Sequence, residues 1–92
     1  MRDKSDLIFA AIDQKRDIRF WFDAVRVTMS PYLIAPGAEG DAVVAGLSAV
    51  QRPISIRMSE MVGIEIVPRR PRGAPAWDEA TLAEVRALTR PA

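Results

Sequence analysis

A chain of 92 residues is one domain's worth of protein, and its net charge of +1 gives neither nucleic acid nor an anionic membrane a global electrostatic pull. Apolar residues make up 49% and charged residues 27%, an ordinary globular mix, and no apolar run approaches the ~20 residues that span a bilayer. Cys and His are both absent, which removes disulfides, the usual nucleophile–base pairs and the usual zinc or iron ligand sets.

Ser5 to Arg16 is expected to be a helix, with Ser5 as N-cap, Asp6 at the positive end of the dipole, and Leu7, Ile8, Ala11 and Ile12 on one stripe. Asp3 and Asp6 interrupt any apolar leader, so no signal peptide is expected and the reducing cytosol is the default compartment.

From Asp17 the side-chain period changes to two. Asp17 to Phe22 reads as a strand with Ile18, Phe20 and Phe22 inward and Arg19 and Trp21 outward. Asp23-Ala24 is a two-residue turn in which Gly would serve better than Ala at the second position. Val25 to Ser30 resumes the alternation with Val25, Val27 and Met29 inward. Pro31 then forces a bend, a bulge or an edge, and Tyr32 to Ala35 can continue the strand. Pro36 to Asp41 is a turn. Asp41 to Leu47 is a strand whose small residues imply close approach of another backbone.

After the loop Ser48 to Arg52, Pro53 to Met58 forms a fourth strand with Ile54, Ile56 and Met58 on one face. A tight connection at Ser59 to Met61 leads to a fifth strand, Val62 to Val67, with Val62, Ile64 and Ile66 inward. Five short antiparallel strands spaced by roughly ten residues are the pattern of a small barrel or sandwich, and the fold expected is a five-stranded barrel, mainly β with two flanking helices. Pro68 to Pro75 is too rich in proline for a helix and reads as a linker over residues 68–77. It separates a unit of residues 1–67 from a helical segment of residues 78–92. There Asp78 is the N-cap, Trp77 can staple onto Leu82, and Leu82, Val85 and Leu88 form a narrow stripe. Such a helix must dock on the barrel or on another chain.

The carboxylate pairs Glu39 with Asp41 and Asp13 with Asp17 both fall at turns, where solvated carboxylates are ordinary, and Gly37 to Gly40 lacks the Lys and following helix of a phosphate loop. No catalytic residue, metal or cofactor is therefore expected. Two positions carry more information. Trp21 faces outward beside Arg19. Either a helix covers it, or it is a stacking platform flanked by guanidinium groups, as in single-stranded nucleic-acid binders. Arg26 and Arg57 also project outward, and gathered with Arg19 around Trp21 or Tyr32 they would form an anion or nucleotide pocket. Arg69, Arg70 and Arg72 form the one strongly one-signed stretch, either a soluble linker or a phosphate-contacting arm.

The series AIDQKRDIRFWF, RVTMSPYLI, GDAVVAGL and ISIRMSEMVGIEI, over about Leu7 to Val67, is similar to the WYL domain, a small Sm-like/SH3-like β-barrel of bacterial regulators. Arg26, Pro31 and Tyr32 match the segment after the family's first hairpin. Ile56, Arg57 and Met58 match the start of its last hairpin. Ala42, Val43 and Val44 stand where the Trp-Tyr-Leu triplet would be, and Glu60 stands where a second Arg is expected, so the resemblance is to a divergent relative, expected to stand alone because no helix-turn-helix precedes the barrel segment. The resemblance implies a five-stranded barrel and a non-catalytic regulatory module that binds a nucleotide or single-stranded nucleic acid, with Arg57 foremost among the basic residues. The other expectation, from a different class, is a protein-interaction or homo-oligomerising domain that uses the last helix or an open sheet edge.

Overall fold

The computed structural model describes residues 3–37, 40–68 and 77–89. A first helix, α1 (Lys4–Gln14), precedes five strands: β1 (Ile18–Phe22), β2 (Val25–Ala35), β3 (Val43–Ser48), β4 (Pro53–Arg57) and β5 (Val62–Ile66). A 3-10 turn (Met58–Glu60) joins β4 to β5, and a second helix, α2 (Glu79–Ala87), follows. All strands lie in one antiparallel sheet of order β4-β3-β2-β1-β5, so β4 and β5 are its edges and the sheet does not close on itself. No helix among the described residues is long and apolar enough to cross a membrane.

The N-cap of α1 is Asp3 rather than Ser5. Its carboxylate accepts from the Asp6 amide at 3.0 Å, and the Ser5 hydroxyl donates to the same oxygen at 2.7 Å. A charged acceptor two residues earlier outcompetes the hydroxyl for the orphan amides, and those bonds hold the Asp3 carboxyl below the usual carboxylate range. The helix stops where Lys15 enters the left-handed region at φ 56° and the Arg16 amide reaches back to the Ala11 carbonyl.

The two faces of the sheet have different covers. Ile8 and Ala11 of α1 pack with Ile18, Phe20, Met29, Val44 and Met61 on the inner face, with Ile54, Ile56, Ile64 and Ile66 around them. On the outer face Ala45 and Leu47 of β3 pack against Val85 of α2, with Tyr32, Leu33 and Trp77 at the margin. The second helix thus docks in cis, capped as expected by Asp78 on the Thr81 amide at 2.8 Å. Only Val85 of its stripe is fully buried, and Leu88 is exposed, because the helix lies across β3 and β4 on a single ridge.

Two one-residue bulges shape the sheet. β2 runs unbroken through Pro31, and its register with β3 slips at Tyr32, since Pro31 faces Gly46 and Leu33 faces Ala45. The slip turns Tyr32 and Leu33 to the same side and resolves the constraint that proline imposes on an interior strand. The close approach foreseen for β3 falls at Gly46, where a Cβ would sit 2.0 Å from the Ser30 carbonyl oxygen. The second bulge lies between β1 and β5. Arg19 faces Glu65 and Trp21 faces Val62, and Gly63 takes φ +65°.

One inward assignment is corrected by this geometry. Val62 is 61% exposed on the outer face, because the extra residue at Gly63 puts β5 out of phase there. Val25 keeps the inner face opposite Phe22 and is 59% exposed there, because the β1–β2 hairpin extends past the core at its tip.

Candidate outer-face site

Cross-strand partners share a face, so the ladder shows which outward residues meet. Trp21 faces Arg26 on β2 and Val62 on β5; Arg19 faces Thr28 on β2 and Glu65 on β5. Neither helix covers Trp21, which is 46% exposed. Its neighbour is the Arg26 guanidinium, 5.0 Å from the ring centroid and within cation–π range. Gly63 lies beneath the ring's edge: a Cβ there would be 3.5 Å from Trp21 Cδ1.

Sequence reasoning did not single out Glu65, which organises this cluster. Arg19 Nε donates to Glu65 Oε1 at 2.7 Å, Arg19 Nη2 is 2.6 Å from that oxygen, and Arg26 Nη2 is 2.5 Å from it. The Arg19 hydrogen bond first, then its charge, holds the Glu65 carboxyl below the usual range, with Arg26 adding to the effect. Glu65 lies between two inward isoleucines, which marks it as outward. Nothing in the sequence could say that β5 pairs with β1 and brings it to Arg19.

The other expected site residues lie elsewhere. Tyr32 is part of the α2 docking surface: its ring is 5.0 Å from that of Trp77, its hydroxyl accepts from Arg86 Nη2 at 3.1 Å, and the Arg86 guanidinium is 5.9 Å from its ring. Trp77, expected to staple onto Leu82, joins the outer-face cluster of the sheet. Arg57 does face outward, but at the end of the β4 edge strand, opposite Val43 of β3 and not on β1, β2 or β5. Its guanidinium pairs with Glu60 at 2.5 Å. Arg69, Arg70, Arg72 and Glu39 lie outside the described residues, as does most of the linker.

Asp17 accepts from the buried Ser30 hydroxyl at 2.6 Å, and Asp41 accepts from Ser59 at 2.8 Å. Among the described residues no buried side-chain nitrogen or oxygen lacks a partner, and no group of three metal-ligating side chains comes together. The arrangement that could engage a ligand is therefore at the surface: an indole face, two guanidinium groups and one carboxylate on β1, β2 and β5. No family model, curated protein or solved structure matches this chain.

Proposed function

We propose that this chain is a non-catalytic regulatory binding module that takes a nucleotide-like ligand or single-stranded nucleic acid on the uncovered part of its outer face. Trp21 is the stacking platform, and Arg19 and Arg26 receive the phosphate. The observation that carries this reading is the half-exposed indole with a guanidinium 5.0 Å from its centroid and a second one beside it. Bases stack on an aromatic face without regard to sequence, and guanidinium groups bind phosphate oxygens through fixed pairs of donors. A helix followed by five strands in the order β4-β3-β2-β1-β5 also supports the finer reading of an open Sm-like/SH3-like barrel related to the WYL domain.

A fluorescence titration with short single-stranded oligonucleotides and cyclic dinucleotides at low and moderate salt tests the reading. The expected outcome is saturable quenching that Trp21→Ala weakens about tenfold or more. With two phosphate contacts to a single strand, log affinity should fall against log salt with a slope of about −1.4. Arg57→Ala should leave binding intact. No response at high micromolar concentration of either ligand class would refute the proposal.

A second reading, self-association through a sheet edge, is favoured by one observation: β5 is an edge strand and carries the exposed Val62. Light scattering that finds a monomer at high concentration removes it.

A further inference from the structure

We propose that Glu65 is the resident occupant of the phosphate subsite, so that a ligand binds by displacing one anion with another from Arg19 and Arg26. This rests on the nucleotide-binding reading above and adds a self-competing element to it.

Three features support the exchange. First, the donors converge on a single atom: Arg19 Nε, Arg19 Nη2 and Arg26 Nη2 all address Glu65 Oε1. One carboxylate oxygen is thus asked to serve three donors, whereas a phosphate offers several acceptor oxygens to the same groups. Second, two cations face one anion, so the cluster keeps an excess positive charge when Glu65 is in place. Third, the exchange requires no repacking. The side chains of Arg19, Arg26 and Glu65 are 42%, 36% and 47% exposed, so Glu65 can swing into water while the arginines stay.

The placement is built into the backbone. One residue separates Arg19 from Trp21 on β1, while two separate Val62 from Glu65 on β5. The bulge absorbs the difference, which lets Val62 lie beside Trp21 and Glu65 beside Arg19 on one face. An anion held by Arg26 therefore sits next to the indole, where the base attached to it would stack.

The test is fluorescence anisotropy at low salt with a short fluorescein-labelled oligothymidylate and the full chain as wild type, Glu65→Gln, Trp21→Ala and the double variant. Glu65→Gln keeps the side chain's size and removes its charge. It should tighten binding about three- to tenfold, with a gain that shrinks as salt is added. Trp21→Ala should weaken binding in both backgrounds. Binding that depends on Trp21 but is unchanged or weakened by Glu65→Gln overturns the competitor role and leaves the binding reading standing. Absence of binding in both wild type and Glu65→Gln, or binding indifferent to Trp21→Ala, overturns both.

Discussion

Tyr32 and Trp21 lie on the same face of the sheet, and each has a guanidinium near its ring, Arg86 at 5.9 Å and Arg26 at 5.0 Å. Around Tyr32 the arginine belongs to α2, Trp77 closes against the ring, and Val85 is buried alongside. Around Trp21 the arginine belongs to the neighbouring strand and no helix arrives. One aromatic–arginine pair has been used to dock a piece of the same chain. The other has the same chemistry, with the arginine over the ring and the indole still 46% exposed. The difference lies in the cover and not in the residue types, so an aromatic beside an arginine is a site only where the fold leaves it open.

The largest test of this contrast is Gly46→Ala. Gly46 lies beneath the covered half, and a Cβ 2.0 Å from a backbone oxygen cannot be relieved by moving a side chain. The substitution should cost more than about 3 kcal/mol, a large share of the stability of so small a domain, and urea denaturation would measure it. Next come the two tryptophans. Trp77→Ala should cost about 2 kcal/mol and release α2, visible as lost helical signal in far-ultraviolet circular dichroism. Trp21→Ala should change stability by less than about 0.5 kcal/mol. Equal costs for the two would erase the distinction between the halves. The smallest gain belongs to the open half's hairpin. Asp23 and Ala24 both hold positive φ, 47° and 63°, and Ala24→Gly should relieve about 1 kcal/mol, raising the urea midpoint without altering oligonucleotide binding.

Much of the sheet was legible in the sequence because alternation records which face a residue takes. Ile18 and Phe20 went inward and Trp21 and Arg19 outward on that signal alone, and Asp23-Ala24 announced its turn. Alternation is silent about lateral position, however. Arg57 faces outward as expected, yet it lies on the β4 edge strand, where its guanidinium pairs with Glu60. A single inserted residue leaves no periodic trace either, which is why Val62 was assigned to the wrong side. Glu65 escaped notice for a related reason: its partner Arg19 is 46 residues away, and only the β1–β5 pairing joins them. The α1 cap moved from Ser5 to Asp3 because both are competent, and the charged carboxylate is the stronger acceptor.

The bulge at Gly63 also bears on how this strand can change in length. Deleting that glycine would leave Val62 opposite Trp21, Ile64 opposite Phe20 and Glu65 opposite Arg19 in an uninterrupted ladder. Sliding the strand by one step with every residue retained would instead present Ile64 to Arg19 and turn the charged surface oily. β5 is thus tolerant in length and strict in phase: a shorter version of the strand would keep its ionic face and give up only local curvature.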